Sequence, residues 1–252
     1  MKKIFLILSI VPLFMLAQNN PNSEYWQLNR WEAKEGMNKE FQAAVSKKTK
    51  KFNNTTETAI LTFRIVTGPD SGKYMRVVGP KTGDFFNSSS DSEEYAYWEK
   101  NVMPFVKNQM GNVRTARIDD FSYNWDNSQA PKKYIKFSTY RFKTENSRDW
   151  FDFMRNDAKL KKAHGYTGIR GVFYVVSGAE WEMHVVEPYD SHGTRLGTYN
   201  SKDFKYEEEY NKMFGWRAVD NDRTKANEAE RDYRGQVTET LEFRPEMSTS
   251  FE

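Results

Sequence analysis

Tyr25-Trp26-Gln27-Leu28 and Tyr134-Ile135-Lys136-Phe137 are one pattern written twice, 109 residues apart. At the same offset Trp31 falls on Tyr140, Lys34 on Lys143, Phe41 on Trp150 and Val45 on Met154. Each copy opens as a strand by alternation. Trp26 and Leu28 share one face, as do Ile135 and Phe137. The opposite faces also carry bulk, with Tyr25, Trp31 and Ala33 in one copy and Tyr134, Tyr140 and Phe142 in the other. A sheet with large apolar residues on both faces is covered on both.

Working outward, each copy continues alike. A helix is predicted from Met37, Phe41, Ala44, Val45 and Phe52 in the first half. In the second half Trp150, Phe153, Met154 and Ala158 line one helix side, with Asn146 or Ser147 as cap. A hairpin follows, 58–66 with 74–78 in one half and 171–176 with 181–186 in the other, and Val77-Val78 matches Val185-Val186. Ser90-Asp91-Ser92-Glu93 has capping-box spacing before Tyr95, Trp98, Val102 and Phe105, and Pro104 ends or kinks that helix. Phe204, Tyr206, Tyr210, Met213, Phe214 and Trp216 form its counterpart. An added polar helical stretch lies at about 221–233. A strand opened by Gly-x-Val, at Gly111 and at Gly235, closes each half.

The order is β-α-β-β-α-β, twice, an α+β fold of two tandem ferredoxin-like halves. The boundaries are a leader at 1–17, a half at 24–124, a linker at 125–132, a half at 133–245, and a tail at 246–252 that should fray. Element order and aromatic placement over about 25–245 resemble the dimeric α+β barrel superfamily in a fused tandem form. That superfamily includes antibiotic-biosynthesis monooxygenase-like and NIPSNAP-like proteins. The resemblance implies two sheets packed as one α+β barrel within a single chain, and hence a monomer.

The chain has 252 residues, 38 Lys plus Arg against 35 Asp plus Glu, and no Cys. Lys2 and Lys3 belong to the apparent leader, so the remainder is nearly neutral and gives no electrostatic case for nucleic acid. Leu, Ile, Val and Phe make up only about a fifth of the residues, but 7 Trp and 14 Tyr supply buryable bulk. The core is expected to be aromatic. Without Cys there are no disulfides, thiolate metal sites or cysteine nucleophiles. Lys2-Lys3, the apolar run Ile4–Leu16, and small Ala17 before Gln18 match a secretory signal peptide. The expectation is an exported bacterial protein, periplasmic or extracellular, with no integral membrane segment in its mature chain.

The search for chemistry is mostly negative. Gly68-Pro69-Asp70-Ser71-Gly72-Lys73-Tyr74 departs from a phosphate loop in glycine spacing, in Tyr74 where Ser or Thr is required, and in being followed by a strand. No Gly-x-Ser-x-Gly elbow occurs. The histidines are His164, His184 and His192. His184 and Glu187 point to opposite faces of a regular strand, so no metal site is expected there. His164 sits where a helix ends. Among superfamily members that degrade haem, the resemblance implies a first-strand Asn with a Trp and a His from the second helix. Asn29 and Trp98 match the first two, but neither second helix carries a His. No cofactor is therefore expected.

Asn29, Trp31, Trp98, Tyr140, Trp181 and His184 remain as residues that could line a ligand cavity between sheet and helices, suited to a flat apolar molecule. The function expected is an exported binding or interaction module, for a small apolar or aromatic ligand or an envelope protein. The alternative is a cofactor-independent monooxygenase-like or haem-handling enzyme using a cavity in one half. The halves diverge at Arg76 against His184, so one half could be functional and the other a scaffold.

Overall fold

The computed structural model describes residues 24–87, 91–143 and 147–250. The leader, Ser90 of the capping box and Asn146 lie outside them. The first half contains β1 (Tyr25–Ala33), α1 (Asn38–Phe52), β2 (Ile60–Ile65), β3 (Tyr74–Lys81), α2 (Ser92–Asn101) and β4 (Val106–Arg117). The second contains β5 (Tyr134–Arg141), α3 (Ser147–Ala163), β6 (Gly171–Ser177), β7 (Glu182–Tyr189), α4 (Tyr206–Phe214), the added α5 (Ala218–Ala229) and β8 (Gln236–Phe243).

Local chemistry sets several ends. Asp91 caps α2 by accepting from the backbone N–H groups of Glu93 and Glu94 at 2.8 and 3.3 Å. The helix stops at Asn101, and Pro104 lies in the short 3-10 turn that follows. Gly68, after β2, has φ +94°, and a Cβ there would come within 2.8 Å of Glu239. Glycine permits both the turn and the close approach.

Within each half the strand order is that of a ferredoxin-like sheet, β4-β1-β3-β2 and β8-β5-β7-β6. The sheets then join edge to edge. β2 pairs with β8 at Phe63–Phe243, Arg64–Glu242 and Ile65–Leu241, and β4 pairs with β6 from Arg114 to Arg117. The result is a closed eight-stranded antiparallel barrel. The expected fused α+β barrel is what forms. Closure removes the exposed strand edges that two separate sheets would leave.

The ladder registers expose the duplication and correct one detail of it. Leu28 pairs with Val77 and Phe137 with Val186, while Arg30 pairs with Met75 and Thr139 with His184. The offset is thus 109 in the hairpin as well as in the first strand. Matching Val77-Val78 to Val185-Val186 slips it by one, and a one-residue slip exchanges the sheet faces. His184 therefore corresponds to Met75. Arg76 corresponds to Val185.

The helices pack outside the barrel. Trp31, Phe41, Val45, Tyr74, Trp98, Val102, Val106 and Met247 make the first half's outer core. Trp150, Met154, Val172, Met183, Val185 and Ala226 make much of the second's, where α5 lies against α3. Aromatic rings make up half of the first core, whereas the second is mostly aliphatic and methionine around Phe121, Phe142 and Trp150. The end of the chain departs from expectation. Instead of fraying after Pro245, it runs along β2. The Thr249 N–H donates to the Ile60 carbonyl at 2.9 Å, and the Thr62 N–H to Ser248 Oγ at 2.8 Å. Met247 is fully buried under α1. The second half's C-terminal segment thus completes the first half's core. No helix among the described residues is long and apolar enough to cross a membrane.

Candidate active site in the barrel interior

Alternation sends Trp26, Leu28 and Arg30 of β1 into the barrel, with Met75, Val77 and Gly79 of β3, and Glu182, His184 and Val186 of β7. The interior divides into two chambers. One, about 420 Å³, is bounded largely by apolar side chains, among them Trp26, Phe63, Ile135, Phe173, Val186 and Leu241. The inter-half linker 125–132 crosses its mouth. Trp125 packs edge-on against Trp26 at 6.1 Å and Phe173 at 5.4 Å. Asn127 donates to Glu24 at 2.9 Å and accepts from Trp125 Nε1 at 2.8 Å, which ties the strap down.

The other chamber, about 370 Å³, opens at the opposite end and is charged. Arg30 makes a fork onto Glu239, at 3.0 and 2.7 Å, and also reaches Asp70. Glu239 is 1% exposed, so this pairing is what makes its burial tolerable. Burial alone would lower the Arg30 pKa, but Glu239 and Asp70 outweigh it and hold the guanidinium above its usual range. The glycine-rich turn that superficially looked like a phosphate loop thus serves to present Asp70 to Arg30.

Leu28, Met75, Phe137 and His184 border both chambers and form the septum between them. Leu28 and Phe137 are duplicates of each other, and so are Met75 and His184. Three of the four positions are apolar. The fourth carries an imidazole that is 5% exposed, with its ring 4.9 Å from that of Phe137. His184 Nε2 lies 3.0 Å from Glu182 Oε1, and Arg141 Nε lies 2.9 Å from Glu182 Oε2. Burial would raise the Glu182 pKa, but its bonds with His184 and Arg141 hold it below the carboxylate range. An ionised carboxylate only accepts, so in neutral His184 the proton sits on Nε2. Nδ1 is then a lone-pair acceptor, and it is buried with no hydrogen-bond partner among the described residues.

Of the six residues singled out from sequence, only His184 reaches this interior. Asn29 and Trp31 point outward beneath α1 and α2, where Trp31 packs on Trp98 at 4.7 Å. Tyr140 lies outside the barrel against Trp150 at 5.0 Å and accepts from Gln236 Nε2. Trp181 is 48% exposed and meets Phe151 edge to face. The described cavities lie within the barrel, not between sheet and helices. His184 and Glu187 do point to opposite sides, and Glu187 pairs outside with Lys136 at 2.7 Å. His164 stacks on Phe204 at the end of α3, and His192 lies against Tyr134.

The residues do not fit a haem. Trp31, Phe41 and Val45 pack beside Asn29 and Trp98 and leave no room for a macrocycle, and no histidine lies there. His184, the histidine that faces a cavity, has Nε2 engaged by Glu182.

Sequence reasoning missed Arg30, Arg141, Glu182 and Glu239. A signal existed for Arg30 and Glu239, each charged at an inward position of a strand whose neighbouring inward residues, Leu28 in one and Val237 and Leu241 in the other, are apolar.

No family model and no curated protein matches this sequence. Solved structures do. A candidate monooxygenase from Lactobacillus acidophilus NCFM superposes with a TM-score of 0.52 at 10% identity, covering 90% of this chain and 96% of that one. A candidate monooxygenase from Fusobacterium nucleatum gives 0.51 at 10% identity, with 88% and 92% covered. An anthrone oxidase-like protein gives 0.50 at 11% identity, with 88% and 91% covered. The shared fold is an α+β barrel of two ferredoxin-like halves, closed here within one chain. At such identities the likeness is one of fold, and function has to be sought in the site.

Proposed function

We propose that the apolar chamber binds a small, flat, largely apolar molecule bearing one acidic O–H or C–H, and that His184 accepts that proton. The observation that carries this reading is the unpartnered, buried Nδ1 of His184 in the septum. A buried acceptor without a partner costs about 1–3 kcal/mol, and a ligand donor would remove that cost. Glu182 fixes the tautomer, and Arg141 fixes Glu182, which is the arrangement a general base needs. Trp26, Trp125 and Phe173 supply ring faces and edges for a planar ligand.

In this reading the ligand enters past the 125–132 strap and shows its acidic group to the septum. The breaking O–H or C–H bond delivers its proton to Nδ1 and leaves its electron pair on the ligand. Glu182 stabilises the imidazolium that results. Where that anion is an electron-rich enolate, one-electron transfer to dioxygen, the oxidant, followed by recombination and protonation gives a hydroperoxide, so the same geometry serves oxygenation without a cofactor. The names of the fold neighbours favour that extension at the level of fold only. Binding without turnover is the more limited form of the same proposal.

The test is a titration with 2-naphthol, followed by its fluorescence and its naphtholate absorption. Saturable binding with a naphtholate signal in the wild type, weakened in His184→Gln, supports the reading. Equal binding by both proteins refutes it.

We also propose that the protein is exported, on the strength of Lys2-Lys3, the apolar 4–16 run and Ala17. N-terminal sequencing of protein from its host should begin near Gln18, and an intact Met1 in that material would exclude cleavage. Because the barrel closes within one chain, we propose a monomer. A concentration-independent dimer by light scattering would contradict this.

A further inference from the structure

The outer face of the first half's sheet holds a charge imbalance that the barrel interior does not explain. Lys48 of α1 and Arg76 of β3 are 3% and 5% exposed. One carboxylate, Glu94 of α2, accompanies them, and it is bonded to Lys48. Lys48 also donates to Asn53 Oδ1 at 2.7 Å. Arg76 has no carboxylate within ion-pair distance among the described residues. Its partners are the hydroxyls of Thr49 at 3.0 Å and Thr62 at 3.4 Å. The buried group therefore carries a surplus of one positive charge. Uncompensated buried charge is strongly unfavourable.

Two orphaned polar atoms lie in the same packing. Among the described residues Trp31 Nε1 is a buried donor without an acceptor, and Asn29 Oδ1 is a buried amide oxygen without a donor. Asn29 faces Arg76 directly across the β1–β3 ladder. Trp98 joins the rest, with Arg76 over its ring at 5.0 Å, Lys48 at 5.6 Å, and Trp31 against it at 4.7 Å. Amide oxygen and nitrogen are interchangeable by rotation, so Asn29 can turn its N–H₂ toward whatever fills the site. An unpaired indole donor and one missing negative charge define what these groups require.

We propose that Arg76, Lys48 and the indole N–H of Trp31 bind one compact monovalent anion, of halide or formate size, between the sheet and helices of the first half. The second half supplies a contrast. At the 109 offset Arg76 becomes Val185 and Lys48 becomes Asp157, which pairs internally with Arg170 at 2.6 Å and Lys161 at 3.0 Å. The Tyr140 hydroxyl, in the position of Trp31, has its partner in Gln236. In the second half the buried guanidinium of Arg170 is bonded directly to a buried carboxylate. In the first, Arg76 has no such partner among the described residues. Burial pushes Lys48 down to about 8 and Arg76 down to about 10, as expected of cations that lack their counter-ion.

Bromide is the probe, because it quenches tryptophan and scatters anomalously. The exposed Trp216 and Trp181 give a linear quenching background. The expected result is a saturable component above it, shifted to higher bromide by chloride or formate, and absent in Arg76→Met and Lys48→Met. Competition by chloride alone sizes the site for a halide, whereas competition by both admits a carboxylate. Linear quenching in the wild type, or saturation that survives both substitutions, overturns the proposal. Should the variants fail to fold, a bromide-soaked crystal of the wild type decides. An anomalous peak beside Arg76 and Trp31 supports the site, and no peak there overturns it. None of these readouts depends on His184 or on a ligand in the barrel.

Discussion

His184 stands in the second half where Met75 stands in the first, each opposite the corresponding residue of its half's first strand, Thr139 and Arg30. The septum of the barrel is thus built by duplication and made asymmetric at one position. A methionine fills that position without requiring any polar partner. A histidine brings a lone pair there, and Glu182 and Arg141 hold it in one tautomer.

This relationship has a direct consequence. His184→Met restores the symmetrical, apolar septum and should fold. It should bind 2-naphthol about tenfold more weakly, the equivalent of one hydrogen bond at about 1.4 kcal/mol, and give no naphtholate band. Fluorescence titration and absorption at fixed pH read both quantities.

Removing Glu182 has a different signature. Glu182→Ala leaves Arg141 and the His184 Nε2–H without their acceptor, and should destabilise the fold by about 3–5 kcal/mol. Glu182→Gln keeps an acceptor and should cost less. The folded pKa of Glu182 is held low, so its contribution is present above the unfolded value of about 4.3 and disappears as pH falls through the folded value. Asp157 behaves likewise, held low by Arg170 and Lys161 against its burial. Urea melts from pH 6 downward should show stability falling below about pH 4, with a smaller fall in Glu182→Gln.

Glu230 works in the opposite sense. Burial raises its pKa to about 7. Between about 4.3 and 7 the folded state holds more protons than the unfolded one, so stability declines as pH rises through that window. Glu230→Gln should flatten the decline. An unchanged slope between pH 4.3 and 7 in the variant would show that another group is responsible.

The strap also makes a separable prediction. Trp125 closes the apolar chamber by edge contacts to Trp26 and Phe173 and lies outside the septum. Trp125→Ala should accelerate 2-naphthol release in stopped-flow while leaving the naphtholate signal of the bound form intact. Loss of that signal would place the polar contact at the strap instead of at His184.

Much of the fold was legible because the duplicated aromatic pattern repeats at one fixed offset, and because alternation with bulk on both faces requires covering on both. Edge-to-edge closure was less visible, since β2–β8 and β4–β6 pairing leaves no local signature in either strand. The docked C-terminus was missed because Ser248 and Thr249 look like tail residues until their hydroxyls meet the backbone of β2. The candidate site was legible only at His184. Trp31, Trp98 and Tyr140 were read as possible cavity linings, whereas the cores beneath the helices absorb them. The charged residues at the polar end were overlooked because Arg30, Glu182 and Glu239 are remote in sequence and meet only when the barrel closes.

The most direct measurement is a crystal structure of the protein with 6-bromo-2-naphthol, whose bromine fixes the ring position by anomalous scattering. The expected result is a ring among Trp26, Phe173 and Val186, with its oxygen within hydrogen-bonding distance of His184 Nδ1. A naphthol bound outside the barrel, or inside it with its oxygen turned away from His184, would contradict the proposed function.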